Sequence, residues 1–472
     1  MMMRSYKYEI FTSVIEEQIR SRILLKGDRL PSVREIKNRY QLSISSVQSG
    51  FEYLMMKGLI ESSPRSGYFV TSVEDHISTA RTELIPVVRD AAFAKNVMLT
   101  SARNKPSESS SFNMAAPGDL LIPQKLILRT MQEVIREKGT ALLRYYPANG
   151  LYELRKQISI QMSAHGCLMN PDELIITDGA LQALTIALRA VTDPGDIVAV
   201  ESPCVFSVLE AVANLGLKMI EIPVHYENGF DTEYFRNVCD SDDIKAVVVT
   251  PNFHNPTGIV MSDDAKRELL AVASVYQVPI IENDIYGDLY FGNKRPGCIK
   301  SFDHSGWVMT YSSFSKTLAP GIRLGWLHTG RFYARSEKAR FVLGRSVSPI
   351  YQELMLKLLQ GNTYERHLRS FRKQLNRQAM ELLGALRHYF PEDSYFHNPE
   401  GGYSIWGKLP EGTDMKRFFD YCDKNRILFT PGNTFSLTDE YSHHFRIVFA
   451  DRITQESMKL LENAGRKVKE LR

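Results

Sequence analysis

No stretch of the sequence approaches the uninterrupted apolar span that a membrane helix requires, so no membrane span is expected. Cysteine is scarce: Cys167, Cys204, Cys239, Cys298 and Cys422 are odd in number and widely scattered. They form no zinc-type or redox spacing, which excludes a disulfide-stapled scaffold, argues for no metal site and fits a reducing cytoplasm. The opening Met1-Met2-Met3-Arg4-Ser5-Tyr6-Lys7 leads into charged residues rather than an apolar core and a small-residue cleavage site, so secretion is not expected. No internal repeat of solenoid length is present. With 472 residues, 43% hydrophobic and 24% charged, the chain has the makeup of a soluble protein with at least two folding units.

The net charge of +4 is unevenly placed. Residues 1–70 hold eleven Lys/Arg against seven Asp/Glu, and the remainder carries 47 of each sign. All the excess positive charge therefore lies in the first seventy residues, where a polyanion-binding module would use it. Charge alone does not decide the point, since +4 is a common fluctuation.

Three segments differ in texture. In residues 1–74, Ile10, Val14, Ile15 and Ile19 recur at helical spacing. A second helix is predicted from Ser32, where Glu35 completes a capping box after Pro31. Ser43 is placed to cap a third helix from Ile44 to Lys57, stopped by Gly58, and two strands are expected at 59–61 and 67–70. Residues 75–111 read as a linker, polar and Ser-bearing between Ser101 and Ser111, with a short helix expected around 85–98. From 112 to 472, short apolar and largely β-branched runs at 174–177, 197–200, 246–249 and 278–281 alternate with helical patterns. That alternation predicts an α/β domain with a mainly parallel sheet covered on both faces.

Helix, helix, turn, helix and hairpin make a winged helix-turn-helix. The residues Gly27-Asp28-Arg29-Leu30-Pro31-Ser32-Val33-Arg34-Glu35, Leu42-Ser43, Val47, Lys57-Gly58-Leu59-Ile60 and Arg65-Ser66-Gly67-Tyr68-Phe69-Val70 resemble the GntR-type DNA-binding domain. A recognition helix presents its N-terminal residues to base edges, which here are Ser43, Ser45, Ser46 and Gln48. Arg34 and Arg65 are candidates for phosphate or minor-groove contacts. The sequence departs from the family at Ile44, where Arg often follows the capping Ser, and at Gln48 and Ser49, where charged residues are common. Base readout is therefore expected to be weaker or shifted.

In the large domain the densest pattern is Tyr311-Ser312-Ser313-Phe314-Ser315-Lys316-Thr317-Leu318-Ala319-Pro320-Gly321-Ile322-Arg323-Leu324-Gly325-Trp326. A lysine among small hydroxyl residues, with an arginine seven positions on, suits an aldehyde cofactor that carries a phosphate. Lys316 would form the Schiff base, and Ser313 with Arg323 would hold the phosphate. The pattern resembles the lysine motif of fold-type I aminotransferases and implies pyridoxal 5'-phosphate, with a smaller C-terminal α+β subdomain.

Further matches follow in family order, and the resemblance supplies their roles. Thr177-Asp178-Gly179-Ala180-Leu181 ends a predicted strand and opens a helix, so that Gly179, Ala180 and Leu181 would line the phosphate cup. In Thr250-Pro251-Asn252-Phe253-His254-Asn255-Pro256-Thr257-Gly258, Asn255 matches the residue that bonds the ring oxygen, and His254 is read as structural. In Glu282-Asn283-Asp284-Ile285-Tyr286, Asp284 matches the acid that pairs with the pyridine nitrogen and makes the ring an electron sink, and Tyr286 matches the phenol on the ring oxygen. Arg446, in His444-Phe445-Arg446-Ile447-Val448-Phe449, matches the arginine that grips a substrate α-carboxylate. Tyr145 matches a tyrosine that reaches the neighbouring subunit's phosphate, which implies a dimer with shared sites. The ring over the cofactor is offered by Phe206, one position beyond the strict family spacing at Val205.

A GntR-type head on such a body resembles the MocR/GabR subfamily of bacterial regulators. The resemblance implies a domain-swapped homodimer in the cytoplasm that binds a double-stranded DNA operator and senses an amino acid, an amine or vitamin B6 through the Schiff-base site. A metabolic aminotransferase with a vestigial head is the alternative reading, and a cofactor-free dimerisation scaffold is a third. Lys316, Asp284, Tyr286 and Arg446 make amine exchange at the cofactor chemically available, whereas complete transamination does not follow from the sequence.

Overall fold

Helix α1 (Glu9–Arg20) buries Phe11, Ile15 and Ile19, whereas Ile10 and Val14 are 55% and 41% exposed. The buried stripe thus starts at Phe11, and the expected pairing of Ile10 and Val14 with the core is corrected. Both faces of this helix carry apolar residues, and the one that is covered packs against Phe51 on α3 (Ile44–Met56). Between them, α2 (Val33–Tyr40) starts on the expected capping box: Glu35 N donates to Ser32 Oγ at 3.3 Å, and Ser32 N donates to Glu35 Oε2 at 2.6 Å. Gln41, in left-handed backbone at φ 52°, ends α2, and Ser43 caps α3. Strands β1 (Ile60–Ser63) and β2 (Gly67–Val70) form the antiparallel wing, and Ile60 and Val70 close the core over Ile36, Val47 and Leu54.

The computed structural model describes residues 8–20, 23–63, 67–71, 87–90, 112–226 and 229–472, and the chain divides into two compact units, Met1–Ile85 and Pro86–Arg472. The second unit is built on a nine-stranded sheet: β3 (Arg89–Asp90), β4 (Leu174–Thr177), β5 (Ile197–Ser202), β6 (Lys218–His225), β7 (Gly229–Phe230), β8 (Ile244–Val249), β9 (Ile280–Asn283), β10 (Val308–Ser313) and β11 (Gly325–His328). Its order is β3-β6-β5-β8-β9-β10-β11-β4, with β7 paired to β6. Strands β6, β5, β8, β9 and β10 are parallel; β11 is antiparallel to both neighbours, and β3 and β7 add antiparallel to β6.

The strand run at 197–200 extends to Ser202, and the one anticipated from 278 begins at Ile280. At the start of this unit, Arg89 and Asp90 form an edge strand opposite Met219 and Lys218, where a helix was expected; Val87 and Val88 before them are not helical, and 85–86 and 91–98 lie outside the described residues. Every residue of β4 and β9 is buried, which explains why continuous β-branched runs announced the sheet.

The C-terminal part carries a second, antiparallel sheet in the order β12-β13-β15-β14, formed by β12 (Tyr395–Phe396), β13 (Ser404–Lys408), β14 (Thr430–Pro431) and β15 (His444–Val448). The long helix Thr363–Tyr389 and the last helix Gln455–Glu470 supply Leu375, Leu382, Leu386 and Leu461 to the core beneath it.

Candidate functional site

Ligands of open α/β sheets bind outside the carboxyl ends of the strands. Here β4 and β10 end at the same edge of the sheet, on either side of the start of β11, since Gly325 lies opposite both Thr177 and Ser313. Immediately after β4, Gly179 (φ +92°) caps the helix Ala180–Val191. A Cβ on Gly179 would come within 3.1 Å of Arg323 Nη2, and one on Gly325 would meet the Gly179 backbone at 2.8 Å. Arg323, also left-handed at φ 48°, donates from Nη2 to Asp178 O at 3.1 Å. Ser313 Oγ donates to Leu324 O at 3.0 Å and accepts from Ser315 N at 3.1 Å. The fold thus gathers Gly179, Ala180, Leu181, Ser313 and Arg323 into a cup with the free N–H groups of a helix start and a guanidinium, an arrangement suited to phosphate.

Beside the cup, Lys316 donates from Nζ to Ala115 O at 2.7 Å, and Tyr403 Oη donates to the Lys316 carbonyl. Burial, helped by Arg446 and Arg323, pushes the Lys316 amine down to about 8. At neutral pH this leaves roughly a tenth of the amine uncharged and nucleophilic, against well under a thousandth for an ordinary lysine.

The loops after β8 and β9 bring the next group together. Asn255 Nδ2 donates to Tyr286 Oη at 3.3 Å, and both side chains are buried. His254 is held at Nδ1 by Thr257 Oγ1 at 2.7 Å and faces Glu201 at 3.2 Å, as a structural residue would be. Burial pushes the Asp284 carboxyl above its ordinary value, against the pull of Arg295, whose Nη2 donates to Asp284 Oδ2; Asn252 Nδ2 donates to Oδ1 at 3.3 Å.

Arg446 stands on β15, opposite Trp406 of β13 and Thr430 of β14. Its Nη1 donates to Asn255 Oδ1 at 3.0 Å, while Nη2 donates to Asn113 O at 2.6 Å and Thr430 Oγ1 at 3.2 Å. Among the described residues no carboxylate pairs with this cation, and its buried Nε has no hydrogen-bond partner. Burial pushes the guanidinium down to about 10, an environment that an arriving carboxylate would reverse.

Phe206 opens the helix Phe206–Asn214, its ring 6.0 Å from that of Phe435, over which Arg446 lies at 5.2 Å. Val205, the alternative, caps the same helix and packs with a different core group. Tyr145 is 72% exposed, with Arg345 over its ring at 4.6 Å.

In the head, Ser43, Ser45 and Ser46 form one hydroxyl cluster: Ser43 Oγ is 2.9 Å from Ser45 Oγ, 2.8 Å from Ser46 Oγ, and accepts from Ser46 N at 3.1 Å. Arg34, Ile44, Ser45, Gln48 and Ser49 are exposed on α2 and α3. Arg65 lies outside the described residues.

Sequence reasoning missed the groups behind Asp284. Arg295 lies in Gly292-Asn293-Lys294-Arg295-Pro296-Gly297, a basic, Gly- and Pro-bearing stretch that reads as a surface turn, yet it is buried between Asp284 and Asp288. Lys266 lies on a helix of mixed charge, and its full burial has no sequence signal. The scattered cysteines also hid a neighbour pair, because Cys167 and Cys298 share one core group and the thiol of Cys167 is pushed up by its contact with Cys298.

Residues 116–463 match the aminotransferase class I and II family, and residues 9–70 match the bacterial regulatory proteins of the gntR family. Two relatives from Escherichia coli (strain K12), the uncharacterized HTH-type transcriptional regulators YdcR and YjiR, are each 31% identical; both alignments cover 98% of this chain, with 99% of YdcR and 98% of YjiR. Among solved structures, the kynurenine aminotransferase of Pyrococcus horikoshii in complex with PMP is similar with a TM-score of 0.73 and 27% identity, over 79% of this chain and 93% of that one. LysN, the alpha-aminoadipate aminotransferase of Thermus thermophilus, complexed with N-(5'-phosphopyridoxyl)-L-leucine, gives 0.71 and 25% over 77% and 92%.

Proposed function

This chain belongs to the aminotransferase class I and II family and carries a gntR-family head, and we propose that it is a DNA-binding transcription regulator that holds pyridoxal 5'-phosphate on Lys316 and responds to an amino acid or amine. When bound, the cofactor supplies an aldehyde that amines add to and a ring that accepts electrons. The residues fit it: a Cβ on Gly179 would crowd the Arg323 guanidinium, the lysine is depressed to about 8, and Asp284, directly after β9, is a buried acid.

Lys316 supplies the uncharged amine for the covalent bond, with Ala115 O as its resting acceptor. Gly179, Ala180, Leu181, Ser313 and Arg323 hold the phosphate, and Tyr145, exposed and turned to solvent, reaches the phosphate of a second copy. Asp284 takes the ring nitrogen, Asn255 and Tyr286 take the ring oxygen, and Phe206 covers the ring. Arg446 binds the effector's carboxylate. In the head, Ser43, Ser45, Ser46 and Gln48 read bases, while Arg34 and Arg65 hold the phosphate backbone. The working form is a cytoplasmic homodimer with swapped domains, 1–74 as the head, 75–111 as a linker that lends Arg89–Asp90 to the sheet of the body, and 112–472 as the rest of the body. Effector binding shifts DNA affinity only as far as the effector favours one arrangement of the dimer over another.

The observation that carries the proposal is a buried Arg446 that meets no carboxylate among the described residues, beside a depressed Lys316, in a chain whose head has α2 and α3 capped over a packed core. The test adds pyridoxal 5'-phosphate to the purified chain, follows the visible band during titration with α-amino acids, and measures DNA binding in parallel. A band that responds to an amino acid, with a matching change in DNA affinity, is the expected result. Steady amino-acid/keto-acid turnover without DNA binding would instead identify a metabolic aminotransferase.

A further inference from the structure

Asp284 does not stand alone. Arg295 contacts Asp284 Oδ2 through Nη2 and Asp288 Oδ1 through Nε at 2.8 Å, so one guanidinium bridges two carboxylates; Asp284 and Arg295 are buried, and Asp288 is mostly so. On the other side, Asn252 donates to Asp284 Oδ1, and Lys266, fully buried, donates to Asn252 Oδ1 at 2.9 Å and Gly297 O at 2.8 Å. The Gly287 backbone closes the cluster, and a Cβ there would strike both Asp284 and Arg295. Both oxygens of Asp284 are thus held from behind by donors, which fixes the direction of the carboxylate.

We infer that Arg295 is a positioning residue for the ring end of the cofactor: by bridging Asp284 and Asp288 it keeps Asp284 an anion, aimed at the ring nitrogen. The inference rests on the cofactor reading above. Two carboxylates that share a dry pocket cannot both ionise without a cation, and arginine is the side chain that stays charged there. Burial and Asp288 both push a proton onto Asp284, and Arg295 opposes them. Without Arg295, Asp284 would take up that proton, leaving a neutral acid that no longer favours a protonated ring. The other groups facing the trio are Glu282 on β9, Cys298, Lys266, His165, Glu365 and Arg372, and none of them contacts Asp284 directly in the way Arg295 does.

The test is the apparent Kd of the full chain for pyridoxal 5'-phosphate, read by the visible band and by equilibrium dialysis between about pH 6 and 9, for wild type, R295Q, R295K and R295Q/D288N. R295Q keeps a donor and loses the charge. It is expected to weaken cofactor binding ~10-fold or more relative to wild type at neutral pH, and the gap to wild type, whose own binding shifts with Lys316, should close as pH rises and Asp284 loses its proton. R295K should recover only part of the loss, because it offers a cation without the two-pronged reach of the guanidinium. R295Q/D288N should regain most of the loss, since removing the second carboxylate lets Asp284 ionise again; a merely structural role for Arg295 predicts no such rescue. Should R295Q not fold, the double variant carries the comparison with wild type, and its failure to approach wild-type affinity counts against the inference. An R295Q chain with the wild-type Kd and pH profile would overturn it while leaving the cofactor reading intact. A wild-type chain that binds no pyridoxal 5'-phosphate overturns both.

Discussion

Arg446 donates from Nη1 to the side-chain oxygen of Asn255 at 3.0 Å, tying an inner strand of the small sheet to the loop after β8 across 191 positions of sequence. Asn255 in turn donates to Tyr286, so the proposed carboxylate grip and ring-oxygen contacts form one chain of hydrogen bonds. A carboxylate that draws Arg446 away from Asn255 would therefore be felt at the ring.

The Arg446→Gln variant should lose affinity for α-amino acids by ~100-fold, the scale of a charged pair truncated in a buried site, while its response to simple amines without a carboxylate stays near wild type. Titration of the visible band with an amino acid and with its decarboxylated amine gives the comparison. Equal losses for both would rule out a carboxylate grip.

The pH dependence of cofactor loading follows from Lys316. Its amine is depressed to about 8, so the reactive free base grows as pH rises toward that value and is complete above it. Loading should accelerate ~10-fold per pH unit below about 8 and flatten beyond it. Stopped-flow absorbance tests this, and Lys316→Ala should show no covalent adduct by mass after borohydride reduction. A rate still climbing through pH 10 would mean an ordinary, solvated lysine.

Gly179 lies at φ +92° with Arg323 close to where a Cβ would sit. The Gly179→Ala variant should cost about 1 kcal/mol of stability from backbone conformation. It should weaken pyridoxal 5'-phosphate more than it weakens pyridoxal, which lacks the phosphate. Parallel fluorescence titrations distinguish the two, and an equal effect on both ligands would remove Gly179 from the phosphate cup.

For the head, Arg34→Ala should lower DNA affinity and reduce the slope of log affinity against log salt by about 1, the signature of one lost phosphate contact. Binding to a duplex selected from a random pool, measured over a salt series, is the test. By contrast Ser32→Ala should act on stability, by about 1 kcal/mol, because Ser32 caps α2 together with Glu35. An unchanged salt slope in R34A would take Arg34 off the DNA.

Much of this was readable from residues alone where local physics is decisive. The capping box at Ser32 and Glu35 forms through atoms three residues apart. The buried strands announce themselves because both faces must be apolar. The lysine stretch 311–326 carries its chemistry in one continuous piece of chain. In α1 the pattern was ambiguous, since Ile10, Phe11, Val14 and Ile15 offer two apolar faces and residues of other elements, Phe51 and Tyr40 among them, select one.

Residue types and their local order were enough to establish the chemistry on offer: an amine among hydroxyls, an acid after a strand, glycine where a helix begins. Charge states were settled only by the tertiary structure. Lys316 is depressed because burial and the distant Arg446 and Arg323 surround it, and Asp284 depends on an Arg295 that reads as a surface residue in its own turn. The free energy of a charge depends on how much water it has lost and which charges stand within a few ångströms, and only the folded chain defines either quantity.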